Sequence, residues 1–495
     1  MNNFELAKEY FLSGCAFLEA GDFFQAESNF ISSLELIPDR ASTLTNLSVA
    51  QLKLKKYSEA KAAAKKAILV EVDNSEAYLN LGLVEKELRA YDDAVKFFDK
   101  ALSLKPDYHE AWSNKGNVLK ELKRFNEATV HYDKALSLKP DYHEAWSNKG
   151  VALHELKLFN EAIVHYDKAL SLKPDYHEAS WNKSLSLLIQ GDFENGLPLY
   201  ESRWATDKVS EVAGKRLFDR PTWLGVESLQ GKTILLYGEQ GLGDFIQFAR
   251  YAKLVADLGA TVILEAPQVL AGLLENLEGV SQLVIKGKKL PYFDYQCPLL
   301  SLPRAFNTNI SSIPAHIPYL VSSAHQAAEW KRKLGKKGNK RVGLVWSSMS
   351  DFKEDSKRSL LLADFVKALP AEGFEYICLQ QELKECDEEF FRSYKNIRFF
   401  GDELRDFSDT AALIENLDLV ISTCTSVLHL SAALGKETWV LLSNVPDWRW
   451  LLDREDSPWY PSIRLYRQAV IGDWASVLNK VKSDLNSKKN FNSSP

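Results

Sequence analysis

The string DKALSLKPDYHEAWSNKG stands at Asp99–Gly116 and again, unchanged, at Asp133–Gly150, and a third copy, DKALSLKPDYHEAS, begins at Asp167. The copies are 34 residues apart. That spacing predicts a helix–turn–helix unit repeated in tandem. Working outward, small residues recur at Gly14, Ser48, Gly82, Gly116, Gly150 and Ser184, and alanines at Ala26, Ala60, Ala94, Ala128 and Ala162. Closing prolines stand at Pro38, Pro106, Pro140 and Pro174, with Val72 in the missing place. Proline suits a point where one helix has ended and the chain must turn. The pattern gives five full repeats from about residue 7 to residue 176, and a degenerate sixth from His177 to about Trp204, weakened by Gly196 and Pro198. Each unit can bury its apolar stripe only against the next, so the expectation is an α-helical superhelix with a concave face.

The period is that of the tetratricopeptide repeat. One polar position keeps it strictly: Asn46, Asn80, Asn114, Asn148 and Asn182. A carboxamide both donates and accepts, so such a ladder can bind a peptide backbone regardless of its sequence; duplication also copies an asparagine that is not used. The array implies a protein or peptide partner on its concave face. Histidines repeat at His109, His143 and His177, and at His131 and His165. Helices packed about 8–10 Å apart cannot bring these to one ion at about 2 Å, so no metal site is read there.

The 495 residues carry 61 basic and 67 acidic side chains, a net charge of −6, with 45% apolar and 26% charged residues. These are globular values and exclude wholesale disorder. The acidity gives no footprint for nucleic acid. No apolar run approaches the roughly 20 residues of a transmembrane helix, and MNNFELAKEY lacks the layout of a signal peptide. Five scattered cysteines without a C-x-x-C pair fit a reducing, cytoplasmic compartment.

After Trp204 the pattern changes. Apolar, β-rich runs alternate with helical stretches: TILLYG (233–238), TVILEA (261–266) and SQLVIK (281–286), then RVGLVW (341–346), EYICLQ (375–380), IRFF (397–400), LDLVIS (417–422) and ETWVLL (437–442). This predicts an α/β region of two lobes with parallel sheets. The expected divisions are an array (1–204), a linker (205–230), a first Rossmann-like lobe (231–330), a second (331–484) and a flexible tail (485–495). The basic stretch KRKLGKKGNKR (331–341) reads as a solvated connection between the lobes.

Two segments fall where strand ends would face a cleft. YGEQGLGDFIQFARY (237–251) turns through Gly238, Gly241 and Gly243 into a helix that opens near Asp244. With Glu265 further on, this mimics a dinucleotide fingerprint. An acid in the first helical turn would compete with a pyrophosphate there, so a general base is the better reading of Asp244, with a plain helix cap as the alternative. The second segment runs from a buried strand into Cys424-Thr425-Ser426-Val427, with His429 one turn later. Free N–H groups, hydroxyls and a helix N-terminus make an anion site, or an ordinary capped turn. Arg358, in the loop after strand 341–346, can reach the same anion or stand in solvent. Asp447-Trp448-Arg449-Trp450 offers indoles and a cation to a sugar nucleotide, or packs in a core.

GEQGLGDFIQFARY, DFSDTAALIENLDLVIS and PDWRWLLDREDSPWYPSIRLYRQ (446–468), joined to the repeats, resemble bacterial tetratricopeptide proteins whose C-terminal region is related to the heptosyltransferases. The overall plan is similar to O-linked N-acetylglucosamine transferase. The resemblance implies a GT-B architecture with a nucleotide-sugar in the cleft as substrate, and no cofactor. It places Asp244 on the catalytic base. Thr425, Ser426, Val427 and His429 fall on the donor-phosphate loop, and Arg358 on the arginine after the histidine-containing loop. Gly241, Gly243, Cys424, Asp447 and Arg449 are further candidates beside the donor. Cys424 stands where the family has aspartate, and Phe352 where it has histidine. The implied activity is metal-independent, inverting glycosyl transfer to a hydroxyl acceptor. The alternative is a scaffold whose repeats bind a partner while the α/β region has lost catalysis.

Overall fold

Each 34-residue period forms a helix pair. The structure, a computed structural model, describes residues 2–206, 216, 218–348 and 355–490. After a first pair, α1 (Asn3–Glu19) and α2 (Phe23–Leu36), come α3 (Ala41–Lys53) and α4 (Tyr57–Val70), α5 (Ser75–Glu87) and α6 (Tyr91–Leu104), and α7 (His109–Glu121) and α8 (Phe125–Leu138). Then come α9 (His143–Glu155) and α10 (Phe159–Leu172), and α11 (His177–Ile189) and α12 (Phe193–Tyr200). The recurring glycines exist for close approach. A Cβ on Gly116 would stand 2.7 Å from the Tyr132 ring, and one on Gly150 2.6 Å from Tyr166. Gly14 faces Phe30 and Gly82 faces Phe98 in the same way. Where the glycine is replaced by Ser48, the residue 16 further on is Ala64, and both are fully buried. At that pair a larger side chain on one helix is matched by a smaller one on the next, whereas Ser184 keeps a ring, the buried Tyr200, sixteen residues on.

Residues Met1–Lys183 and Ser184–Pro495 form two compact units. The division falls inside α11, not at Trp204, because the end of the helical region packs into the α/β unit. Phe193 of α12 meets Trp448 edge-on at 5.6 Å and stacks on Trp459 at 6.4 Å.

The α/β unit holds two parallel sheets. The first has the order β3-β2-β1-β4, from β1 (Thr233–Tyr237), β2 (Thr261–Ala266), β3 (Gln282–Ile285) and β4 (Tyr295–Pro298). The second has the order β10-β9-β8-β5-β6-β7, from β5 (Lys340–Val345), β6 (Phe374–Cys378), β7 (Ile397–Phe399), β8 (Leu419–Thr423), β9 (Thr438–Leu442) and β10 (Ile463–Arg467). Every pairing is parallel; β1 meets β2 with Leu235 opposite Ile263, and β5 meets β8 with Leu344 opposite Ile421. Central strands such as LVIST are buried along their whole length, as a sheet covered on both faces requires. Strands β4 and β10 have no counterpart among the runs read from sequence. Both are edge strands; β4 has four residues and ends in Pro298, and β10 alternates charged and apolar residues. Neither makes a continuous apolar run.

Three expected boundaries move. Residues 207–215 and 217 of the expected linker lie outside the described residues, but residues 218–230 belong to the first lobe. Trp223 is buried, donates its backbone N–H to the Gln296 carbonyl at 2.8 Å, and its Nε1–H to the Glu227 carbonyl at 2.9 Å. Helix Ala324–Leu334 packs on helix Phe407–Glu415 of the second lobe, with Trp330 edge-on to Phe400 at 5.4 Å. Helix Trp474–Asn490 continues beyond residue 484, and Leu485 is fully buried, so residues 485–490 are helix and not tail; the rest of the expected tail, 491–495, lies outside the described residues. The basic stretch is not wholly solvated: Arg341 is buried, pairs with Glu375 at 2.8 Å and donates to the Gly335 carbonyl at 2.8 Å. No described helix is long and apolar enough to cross a membrane.

Candidate functional site

In the first sheet the chain moves outward from β1 to β2 and β3, then returns to the other side for β4. In the second it reverses between β5 and β8. Ligands of open α/β sheets bind at such reversal points, beyond the carboxyl ends of the strands. The candidate residues come directly after these strands. Gly238–Asp244 leave β1, Arg358 comes after β5, and Cys424–His429 leave β8.

Gly243 and Asp244 lie in the first turn of helix Leu242–Phe248, with Gly241 at its N-cap. That helix packs against helix Ser426–Ala433 of the second lobe. A Cβ on Gly243 would stand 2.8 Å from His429 Cδ2 and 3.3 Å from Ser426 Cα, so glycine is what lets the two loops approach. Asp244 Oδ2 accepts the Gly241 N–H at 3.2 Å. Its Oδ1 forms an ion pair with Arg449, 2.7 Å from Nη2. The cap and the ion pair therefore coexist. Arg449 comes from a short 3-10 turn, Trp448–Trp450, whose N-cap Asp447 accepts the Arg449 N–H at 3.1 Å. Asp447 Oδ1 also lies 3.2 Å from Arg449 Nε, but off the line of a hydrogen bond, and Nε is buried without a hydrogen-bond partner. Burial opposes the charge on Arg449, yet Asp447 and Asp244 hold its pKa above the ordinary arginine value.

Thr425 is the N-cap of helix Ser426–Ala433, but its hydroxyl makes no cap bond. It lies 3.1 Å from the Ser422 hydroxyl instead. Cys424, Thr425, Ser426 and Val427 are half-buried. The first-turn N–H groups thus lack a side-chain cap, the state in which a helix N-terminus accepts an anion. Trp450 Nε1–H points to Cys424 Sγ at 3.4 Å, and its ring stacks on His429 with centroids 5.6 Å apart. His429 is buried, and its Nδ1 lies 3.1 Å from the Tyr460 hydroxyl. Burial, with the charges of Arg449, Arg250 and Arg358, pushes its pKa well below the ordinary value, so the ring is neutral. Burial and Asp447 push the Cys424 thiol up, against the pull of Arg358 and Arg449.

Arg358 ends the short helix Asp355–Arg358 and is half-buried. Its charge acts on both Cys424 and His429. The base of its loop is closed by the Leu360 N–H donating to the Trp346 carbonyl at 2.8 Å. Gln380 Oε1 accepts the Trp346 N–H at 2.9 Å and the Ser347 N–H at 3.2 Å. Residues 349–354, including Phe352, lie outside the described residues.

Sequence reasoning missed a second charged group. Arg203, in the turn after α12, is fully buried; it donates to Glu239 Oε1 at 2.7 Å, Glu201 Oε1 at 2.8 Å and Ser301 Oγ at 2.8 Å. Burial pushes the Glu239 carboxyl up to about 7, Arg203 pulls it down, and Glu201 and Asp244 add to the rise. Glu239 Oε2 is buried without a partner. Arg250 lies over the rings of Tyr460 at 4.3 Å and Tyr319 at 4.5 Å and donates to the Trp459 carbonyl at 2.6 Å. Glu239 and Arg250 belong to the glycine-turn motif, so only their burial was illegible. Arg203 carried no signal, standing at the end of a repeat that reads as degenerate. Among the described residues, no group of three or more His, Cys, Asp or Glu can hold a metal ion.

The asparagine ladder is not uniformly open. Asn80 is buried and donates to the Thr45 carbonyl at 3.1 Å and Ser48 Oγ at 2.7 Å. Asn46 Nδ2 points to Cys15 Sγ at 3.4 Å, and Asn114 Nδ2 donates to the Glu110 carbonyl at 2.9 Å. Asn148 Oδ1 accepts from Lys120 at 3.2 Å; Asn182, half-buried, stands on α11. Asn80 thus joins neighbouring repeats, and the partly exposed rungs are Asn46, Asn114, Asn148 and Asn182.

Family models described as tetratricopeptide repeat match residues 75–108, 109–142 and 143–176, and a second such model matches 41–71. The N-terminal half carries tetratricopeptide repeats. Over 326 residues the chain is 27% identical to Protein FlbA of Caulobacter vibrioides, covering 60% of this chain and 53% of FlbA. That share exceeds the repeat array, so the likeness reaches into the α/β region; the chain spans about half the length of FlbA. Among solved structures, MamA of Desulfovibrio magneticus RS-1 is 24% identical, with a TM-score of 0.31 over 34% of this chain and 98% of that one. YrrB, described as a tetratricopeptide protein with an unusual peptide-binding site, is 23% identical, with a TM-score of 0.30 over 36% and 91%.

Proposed function

We propose that the α/β region is a glycosyltransferase that moves a sugar from a nucleotide-sugar to a hydroxyl group, without a metal ion. The observation that carries this reading is the juxtaposition at the two sheet reversals. Asp244 pairs with Arg449 at 2.7 Å on a helix that packs against the helix opened by the uncapped loop after β8, and the charge of Arg358 bears on that same loop at Cys424 and His429. In the reaction, the acceptor oxygen forms a bond to the anomeric carbon while its proton passes to Asp244. The bond from that carbon to the phosphate oxygen breaks, and its electron pair leaves with the nucleotide. The N–H groups of residues 425–427 and the Arg358 guanidinium stabilise that growing charge. Attack opposite the leaving group inverts the anomeric centre.

The repeats favour a protein side chain as the acceptor, because a tetratricopeptide array can hold an extended chain. A second reading is favoured by Cys424, which stands where the resembling family has aspartate. In it the repeats hold a partner and the α/β region binds a nucleotide without turnover.

A hydrolysis screen over nucleotide-sugars, run on wild type and Asp244→Asn, tests the assignment. Loss of the base is expected to lower turnover by about 10²–10⁴-fold; asparagine keeps the cap but removes the charge opposite Arg449, so a lower melting temperature is expected as well, and turnover is compared at a temperature where both proteins are folded. Equal turnover by both proteins refutes the role of Asp244. Nucleotide binding without turnover by either one establishes the second reading.

A further inference from the structure

Arg449, from the second lobe, reaches the first by standing on the proposed base. Its Nη2 occupies Asp244 Oδ1 at 2.7 Å, while the Gly241 N–H occupies Oδ2 at 3.2 Å. A carboxylate engaged at both oxygens is poorly placed to take a proton from an acceptor. The pair is also sequestered, with side-chain exposures of 6% for Arg449 and 18% for Asp244. A buried guanidinium needs its donors satisfied, and here the match is incomplete, because Nε has no hydrogen-bond partner. The turn that carries Arg449 touches the loop after β8: its next residue, Trp450, directs Nε1–H at Cys424 Sγ at 3.4 Å and stacks on His429 at 5.6 Å. An arginine fork binds phosphate at two points.

We infer that Arg449 is a donor-sensing residue: a phosphate seated on residues 424–427 draws its guanidinium away from Asp244 and so releases the base only when donor is bound. This rests on the glycosyltransferase reading above and adds to it an order of events. Without donor, Asp244 is latched, and the acceptor hydroxyl meets no free base. With donor, the doubly charged phosphate group outcompetes a single carboxylate for the fork. The turn that carries Arg449 is built to hold this geometry. Arg467 donates to the carbonyls of Trp450 at 2.6 Å, Leu451 at 2.9 Å and Arg454 at 2.9 Å, and Leu451 and Asp453 adopt left-handed backbone with φ of 52° and 50°. Non-glycine residues in that region store strain that the surroundings must hold in place.

The latch makes a prediction that a merely structural ion pair does not. If Asp244 and phosphate compete for Arg449, removing the carboxylate frees the arginine and tightens nucleotide binding. The experiment titrates UDP, GDP, ADP, dTDP and CMP by calorimetry against wild type, Asp244→Asn, Arg449→Gln and the double variant. For the nucleotide that binds, Asp244→Asn is expected to tighten affinity about five- to tenfold. Arg449→Gln is expected to weaken it, and the double variant to match Arg449→Gln alone. Unchanged affinity in Asp244→Asn overturns the latch. So does a gain of equal size in the Arg449→Gln background, which marks general charge repulsion. Should Arg449→Gln fail to fold, Arg449→Lys replaces it, and a gain from Asp244→Asn undiminished in that background overturns the latch. Binding of no nucleotide by any variant overturns the donor reading itself, and the latch with it.

Discussion

The two compact units solve the same packing problem in opposite ways. In the array, one contact is written once and copied: a small residue on the first helix of a pair receives a ring from the second, at Gly14/Phe30, Gly82/Phe98, Gly116/Tyr132 and Gly150/Tyr166. In the α/β unit no contact repeats. Arg203, Arg250 and Arg449 are all buried, and each has its own set of partners drawn from distant parts of the chain. Repetition makes the first unit tolerant, because a change at one repeat is felt mainly by its neighbours. Buried, singly occurring charges make the second unit specific but vulnerable, because each partner left behind is stranded without water.

That contrast can be broken most forcefully at Arg203. Arg203→Met leaves Glu239 and Glu201 without their cation and is expected to cost the α/β unit about 3–5 kcal/mol, measured by chemical denaturation. Adding Glu239→Gln should recover much of that loss, since the stranded charge is then gone. A loss that the second change does not touch would mean that Arg203 acts through packing alone.

The array should lose less and regain it by its own rule. Gly82→Ala pushes a methyl group into the Phe98 ring, at an expected cost of about 1–3 kcal/mol. Relieving the overlap from the other side should recover part of the fit, so Gly82→Ala with the smaller Phe98→Leu is expected to be more stable than Gly82→Ala with Phe98 intact. The reverse order would show that this pair is not the unit of compensation.

The smallest effect is titration within the repeats. Burial pushes His131 down to about 4, and it lowers His165 as well. In the unfolded chain a histidine takes up its proton near pH 6.5. The unfolded state therefore binds protons first as the pH falls, and stability is lost from about pH 6.5 toward 4. The contribution of His131 is of order 1 kcal/mol. In His131→Gln the slope of stability against pH over that interval should flatten; an unchanged slope would place the acid sensitivity elsewhere.

The degree to which each unit was legible comes from the same contrast. The period, the helix pairs and the strands at the centre of each sheet all rest on local pattern, and all are found where the pattern puts them. The edge strands β4 and β10 were missed because an edge has no need of a continuous apolar run. The close approach of the glycine turn to the loop after β8 was anticipated from strand ends, but its means was not. It depends on Gly243 leaving room for His429, and on Arg449 arriving from more than two hundred residues away.

Sequence alone determined the repeat, the two parallel sheets and the segments that carry the candidate chemistry, because these depend on a 34-residue period, on short continuous apolar runs and on local glycine and hydroxyl turns. Tertiary structure alone decided that the end of the sixth helical unit, from Ser184 on, belongs with the α/β region, that Asn80 joins repeats, and that Asp244 is held by Arg449. Those outcomes turn on the burial of charge and amide groups, and the cost of burying them depends on partners that only the folded chain brings within hydrogen-bonding distance.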